Sequence, residues 1–247
     1  MVLNREIMRK YLLIIGFLIL YTTTGYAQDE YSVTRPVQST PIKAWTASFN
    51  SLDVDGQVNL KLIKIDKSEA PYVVYNIKDG DPTKFSFEVE KGGTLKIRER
   101  GDNKRATITD VEVYFNELTD ISIAKASTVV EGTLTSPLVD INISNDARFS
   151  ADIDNLDLYV VVTGKSVVTL RGTTLYHTAD ISTAEYNASE LQTTSTVTQA
   201  SHNAVVRVDA QQRLVAKSST GGKILYKSYP QIYRAEATLF GGEIRQM

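Results

Sequence analysis

The chain has 247 residues, with 27 Lys and Arg against 29 Asp and Glu, a net charge of −2 and no cysteine. Without cysteine it forms no disulfide, thiolate metal site, cysteine nucleophile or lipid-modified N-terminal cysteine. The slight acidity argues against nucleic acid and against a polybasic membrane contact, since both require a basic face.

The N-terminus has the three parts of a secretory signal. Three basic residues precede the apolar run 11–21, and the small residues Gly25 and Ala27 follow it. The run is shorter than the ~20 residues that a helix needs to span a bilayer, so we expect residues 1–27 to be cleaved and the protein exported. The mature chain would carry 24 basic and 28 acidic residues, a net charge of −4, and no membrane span.

Residues 28–44 are polar and contain two prolines, which resist a sheet interior, so we expect a flexible leader. From 45–117, alternating apolar strands are separated by turn residues. Asp55-Gly56, between two such strands, is a hairpin signal. This segment is either an antiparallel cap or the first wide coils of the repeats that follow.

A weak unit of 19 or 20 residues recurs over 118–247: an apolar alternation, a Ser or Thr, then small residues. Such a period indicates a solenoid, whose units bury their apolar sides only by stacking on one another. We predict an all-β fold, a right-handed parallel β-helix of about 20 residues per coil, with rungs stacked at ~4.8 Å. The predicted inward column contains Ile123, Ile143, Val162, Ile181, Val197, Ala216 and Ala237.

A leucine also opens several coils. Its occurrences are Leu118, Leu138, Leu156, Leu175 and Leu191. A column of hydroxyl groups is predicted at a bend of the coil, formed by Ser144, Thr163, Ser182, Thr198 and Thr238. Because Ser and Thr satisfy turn backbone wherever chains bend, we interpret this column as structural rather than as a binding stripe.

Three features carry a resemblance to a known family. They are the opening Phe49-Asn-Ser-Leu-Asp-Val-Asp-Gly-Gln-Val58, the recurring corners of the Ser-x-Ala-Ser type, and the ending Ile224-Leu-Tyr-Lys-Ser-Tyr-Pro-Gln-Ile-Tyr233. Over 45–247 the chain resembles the putative auto-transporter adhesin, head GIN domain family of exported bacterial proteins. The resemblance implies a β-solenoid on the cell envelope of a Gram-negative bacterium, and it transfers no site residues.

The histidines and the densest acidic group are the candidate metal ligands. His177 and His202 fall at different phases of the repeat, so we interpret both as exposed structural residues rather than as a metal pair. Asp152 and Asp154 point to one side of a strand, as calcium ligands could. We favour a solvated corner there, because the glycine and terminal Glu of an EF-hand loop are missing. No cofactor is predicted.

A carbohydrate-active enzyme is the first alternative, since β-helix proteins include polysaccharide lyases and hydrolases. Such chemistry requires an acid and a base across a groove. The candidates on three successive coils are Asp146, Arg148, Lys165 and Glu185. Fold analogy is the main support for this alternative, so we predict a protein that is not an enzyme.

Tyr226, Tyr229 and Tyr233 cluster around Pro230 and form a predicted binding patch for sugars or proteins. We therefore predict a non-catalytic envelope protein, in the periplasm or at the cell surface. Its long surface would serve adhesion to a surface protein or glycan, or a scaffold role. The second alternative is a subunit whose exposed coil ends join other copies into a homo-oligomer, as open sheet edges can.

Overall fold

The computed structural model describes residues 40–78, 81–101, 107–237 and 240–247. The predicted signal peptide, most of the predicted leader and Thr238 lie outside these ranges. The strands are β1 Ile42–Trp45, β2 Ser51–Asp55, β3 Val58–Lys64, β4 Tyr72–Asn76, β5 Phe85–Val89, β6 Thr94–Glu99, β7 Thr109–Phe115, β8 Asp120–Ala124, β9 Ser127–Leu134, β10 Leu138–Ser144, β11 Arg148–Val162, β12 Val167–Ser182, β13 Glu185–Ser201, β14 Val205–Ser218, β15 Lys223–Tyr226, β16 Ile232–Ala237 and β17 Glu243–Gln246. A single turn of 3-10 helix spans Pro82–Lys84.

Strand pairing runs from one coil to the next, which confirms the predicted β-solenoid. Ile143, for example, pairs in parallel with Ile123 of the preceding coil and with Val162 of the following one. The fold has 68% strand and about seven coils of ~19 residues. Each coil buries one side of its strands against the other strand of the same coil, and the stacked coils share one continuous aliphatic core.

The stacked coils form two sheets, which we call the front sheet and the back sheet. The front sheet contains β6, β2, β8 and β10, then the second halves of β11 to β14, and finally β16. The back sheet contains β7, β3 and β9, then the first halves of β11 to β14, and finally β15 and β17. The long strands β11 to β14 therefore bend from the back sheet into the front sheet.

The corner from the front sheet to the back sheet uses left-handed backbone. Positive φ angles occur there at Asn145, Lys165 and Thr183, among others. Backbone hydrogen bonds join the stacked corners, as when the Lys165 N–H donates to the Thr183 carbonyl at 2.7 Å. Gly164, beside Lys165 at the same corner, also has a positive φ of 66°, which glycine adopts without the steric cost of a Cβ.

The N-terminal strands do not stack in chain order. β2 pairs in parallel with both β6 and β8, and β3 pairs with both β7 and β9. The coil made by β2 and β3 therefore lies between the coil of β6 and β7 and the coil of β8 and β9. β4 and β1 extend the back sheet beyond β7 by antiparallel pairing, and β5 extends the front sheet beyond β6 in the same way.

The register corrects the predicted inward column at two positions. Ile181 pairs with Ala200, and Ala200 pairs with Ser218, so Val197 and Ala216 do not belong to this column. Val197 lies on the outer surface and is 38% exposed. The observed inward column is Ile123, Ile143, Val162, Ile181, Ala200 and Ser218, at spacings of 20, 19, 19, 19 and 18 residues. Ala237 of β16 pairs in register with Ser218.

The hydroxyl column changes with the same correction. Ser182 pairs with Ser201, so Ser201 takes the place predicted for Thr198. Thr198 instead pairs with Ala179 and is buried inside the coil. The prediction was wrong because it aligned the apolar Val197 with the core, whereas this coil turns a threonine and an alanine inward.

His177 is buried, and the prediction that it is exposed was wrong. It lies in register between Leu158 and Thr196, in an inward column of the front sheet, and is 1% exposed. Its Nε2 lies 2.7 Å from the hydroxyl of Tyr186, which is also buried. The alternation of β12 turns this side chain inward, and that outweighs the usual surface preference of histidine. His202 is exposed at a corner.

Candidate functional site

The outer side of the front sheet presents straight columns of side chains. Every second residue of a strand faces outward, and parallel register stacks these residues along the solenoid. One column reads Thr94, Ser51, Asp120, Asp140, Tyr159, Thr178, Val197, Val215 and Arg234. The neighbouring column reads Lys96, Asp53, Ser122, Asn142, Val161, Asp180, Gln199, Lys217 and Glu236.

Two depressions lie on these columns. One, of about 510 Å³, extends from Ser51 to Tyr159, and the other, of about 410 Å³, extends from Tyr159 to Glu236. Tyr159 lines both, so the two depressions meet at its ring. We call the surface that they form the front groove. It crosses the coils from β2 to β16 and is open to solvent along its length.

The carboxylates at one side of the groove are neutralised by cations. Both carboxylate oxygens of Asp53 contact the Arg98 guanidinium, whose Nη1 also donates to the Asp53 carbonyl at 2.9 Å. Lys125 Nζ lies 2.8 Å from Oδ1 of Asp55. These two aspartates therefore add little net charge to the groove.

Four further aspartates line or border the groove, namely Asp120, Asp140, Asp157 and Asp180, and within the described ranges none of them forms an ion pair. Asp120 accepts a hydrogen bond from Ser51 Oγ at 3.1 Å and lies opposite Asp140 on the adjacent coil. The pKa of Asp140 is raised above its ordinary value. The first cause is partial removal of water by the groove, and the second is repulsion from Asp120 and Asp157.

Apolar and aromatic side chains are exposed beside these carboxylates. Tyr159 is 45% exposed, Tyr176 58% and Leu138 61%. Leu156 and Leu175 are also exposed, at the corner where the back sheet bends into the front sheet. Three of the five leucines that open coils in the sequence therefore face solvent. Contiguous exposed apolar surface of this kind marks interaction sites on soluble proteins.

The groove thus combines an open shape, the ring of Tyr159 and carboxylates without an ion-pair partner among the described residues, and the exposed Tyr176 lies beside it. This set is suited to non-covalent binding by stacking and ion pairing. Sequence reasoning missed it. The alternation that separates inward from outward residues is visible in the sequence, but the columns exist only in the correct register. Because the sequence-based alignment put Val197 in the inward column, it gave the wrong register for this coil.

The three tyrosines predicted as a binding patch lie together near the C-terminal end of the solenoid. The ring centroids of Tyr226 and Tyr233 are 5.2 Å apart, and those of Tyr229 and Tyr233 are 5.8 Å apart. Tyr226 is buried, whereas Tyr229 is 68% exposed. Burial, together with the neighbouring rings Tyr226 and Tyr229, raises the pKa of Tyr233 to about 12. The patch remains a prediction, and a single ring of the three offers a broad exposed face.

The four residues of the enzyme alternative lie around the corners between front and back sheets. Asp146 and Lys165 have left-handed backbone at successive corners. Arg148 and Glu185 begin back-sheet strands two coils apart, with Val167 between them in register. A separate ion pair engages Glu185, whose Oε1 lies 2.7 Å from Arg207 Nη1.

Asp152 and Asp154 lie on the outer side of the back sheet, where Thr173 Oγ1 donates to Asp154 Oδ1 at 3.0 Å. Across the described part of the chain, no three His, Asp or Glu side chains gather into a metal site. In the same ranges, no helix is long and apolar enough to cross a membrane.

The chain was compared with known protein families and with curated proteins. The family model for the Putative auto-transporter adhesin, head GIN domain, matches residues 48–230. No curated protein matches the sequence.

Several solved structures are similar. A putative adhesin from Bacteroides fragilis is 17% identical, with a TM-score of 0.76 over 86% of this chain and 99% of that one. A putative adhesin from Parabacteroides merdae is 13% identical, with a TM-score of 0.67 over 84% and 95%. A putative lipid binding protein from Parabacteroides distasonis is 19% identical, with a TM-score of 0.62 over 84% and 96%. At these identities the similarity concerns the fold.

Proposed function

Because the chain belongs to the Putative auto-transporter adhesin, head GIN domain family, we propose that it is an exported, non-catalytic binding protein of the cell envelope. We infer that the front groove is its adhesive surface and that a surface protein or glycan is its partner. The secretory pattern of residues 1–27 supports export.

The observation that carries this proposal is the composition of the front groove and of the front-sheet surface beside it. A solenoid gains stability by turning apolar residues inward. In the coils of β11 to β13, however, Tyr159, Tyr176 and Val197 face solvent while Thr196 and Thr198 are buried. Folding alone does not favour this arrangement, whereas a binding surface requires exposed rings.

An array of glycans and purified extracellular proteins tests the proposal. The fluorescently labelled chain should bind one or a few spots saturably, and Tyr159→Ala should weaken that binding at least about fivefold. Val129→Ala is the matched control, because Val129 is 54% exposed on the back sheet. Equal binding by the wild type and the Tyr159→Ala variant, or an equal loss in the control, would refute the role of the front groove.

A further inference from the structure

The front groove has an uneven distribution of charge. Lys217 and Arg234 line the depression on the C-terminal coils, whereas the described lining of the other depression includes no Lys or Arg. Lys96 and Arg98 of the adjacent strand β6 are engaged in ion pairs with Glu90 and Asp53. In that other depression, Asp120 and Asp140 lie side by side on the coils of β8 and β10. Asp157 borders the same region, opposite Leu138. Elsewhere on the solenoid, ion pairs join neighbouring coils, but these three aspartates have none among the described residues.

We propose that the acidic half of the front groove, formed by Asp120, Asp140, Asp157 and Tyr159, binds an extended segment of a partner protein that carries lysine or arginine side chains. The inference rests on the proposed binding function of this groove and names the chemistry of its partner. Uncompensated carboxylates in one depression attract cations and repel acidic glycans, nucleic acids and anionic headgroups.

Tyr159 adds a second element of recognition. Tyr159 is the register partner of Asp140 on the preceding coil, and neighbouring strands lie about 4.8 Å apart along the sheet. A cation over the Tyr159 face would therefore lie within reach of the Asp140 carboxylate, so the same side chain could make a cation–π contact and an ion pair. The pKa of Asp140 is already raised, first by partial removal of water and second by repulsion from Asp120 and Asp157. A bound cation would relieve that repulsion.

The shape of the depression fits a chain rather than a compact ligand. Its volume of about 510 Å³ is spread over the floor from Ser51 to Val161 and is open to solvent. An extended segment presents every second side chain to one side, at intervals of about 7 Å. Those intervals fall between one and two coil spacings, so successive basic side chains can reach carboxylates on different coils.

Fluorescence anisotropy with designed peptides tests the inference. The probe is a labelled heptapeptide in which lysine alternates with serine, and two counterparts carry glutamate or glutamine in place of lysine. The lysine peptide should bind the purified chain, and the other two should bind at least tenfold more weakly. The double variant Asp140→Asn, Asp157→Asn should weaken binding about fivefold. It should also flatten the dependence on salt.

Asp152→Asn with Asp154→Asn is the matched control, since it removes the same charge from the outer side of the back sheet. That variant should bind as the wild type does. Absence of binding, equal binding of the glutamine peptide, or equal weakening in both double variants would overturn the inference. If the lysine peptide fails while Tyr159→Ala still weakens binding on the array, the groove binds a partner of other chemistry, such as a glycan. If both fail, the proposed function fails too.

Discussion

Several residues break the alternation of inward apolar and outward polar side chains. His177, Thr196 and Thr198 occupy inward positions that a regular solenoid would fill with aliphatic side chains. On the outer side of the same coils, Tyr176 and Val197 are exposed. This local exchange of polar and apolar positions makes the register hard to recognise in the sequence. It places Val197 in the front groove and Tyr176 on the surface beside it.

The buried side chain of His177 makes the stability of the fold depend on pH. Burial lowers its pKa to about 4 in the folded chain, whereas a histidine in the unfolded chain titrates near ~6.5. As the pH falls below ~6.5, the unfolded chain therefore binds a proton that the folded chain does not, until about pH 4. The stability that neutral His177 contributes is complete above ~6.5 and decreases by about 3 kcal/mol down to pH 4.

His177→Leu should remove this component. The free energies of unfolding of both proteins are measured in urea at several pH values. As the pH falls from about 7 to about 4, the variant should gain about 3 kcal/mol of stability relative to the wild type. Other titrating groups are common to both proteins and cancel in the difference. A difference that stays constant between about pH 7 and pH 4 would mean that water or a rearranged core solvates the imidazolium.

Close contact between neighbouring coils is the main feature at the level of elements. Gly172 has a φ of +103°, and a Cβ there would lie 2.1 Å from the Ile153 carbonyl oxygen of the preceding coil. Gly132 has a similar φ of +90°, but a Cβ there would meet nothing within 4 Å. Substitutions at the two glycines therefore distinguish the cost of backbone strain from the cost of a steric clash between two coils.

Gly172→Ala should lower the free energy of unfolding by at least about 2 kcal/mol more than Gly132→Ala does. Both variants introduce a methyl group at positive φ, but only the first forces two coils apart. Thermal and urea denaturation of the two variants would measure the difference. Equal losses would show that adjacent coils separate at Gly172 without cost.

The elements differ in how far the sequence predicts them. The 19-residue period reports contacts between consecutive coils, so it predicts the solenoid after Leu118. The place of β2 and β3 between β6–β7 and β8–β9 depends on pairing between strands far apart in the chain, and no local pattern records it. The turn signal at Asp55-Gly56 is real, but it joins the two sheets of one coil instead of closing an antiparallel hairpin.

At the scale of the whole molecule, the two sheets have different surfaces. Some charges on the back sheet pair across coils, as in Arg171–Glu190 at 2.8 Å, whereas Asp152 and Asp154 form no ion pair with the described residues. The front sheet has a groove that crosses nearly all the coils, with the ring of Tyr159 in it and with aspartates that form no ion pair among the described residues. A long, regular scaffold with one such side suits adhesion, because many weak contacts along a groove add to a firm attachment.

Selective obstruction of each sheet tests most directly that the front groove is the adhesive surface. The chain has no cysteine, so Ser122→Cys places one thiol in the front groove, and Ser127→Cys places one on the back sheet of the same coil. Each variant is then coupled to a bulky maleimide and assayed against the array partners of the wild type. The account predicts that the bulky group at 122 abolishes binding while the group at 127 leaves it intact. Binding that persists with 122 blocked, or is lost equally with 127 blocked, would contradict it.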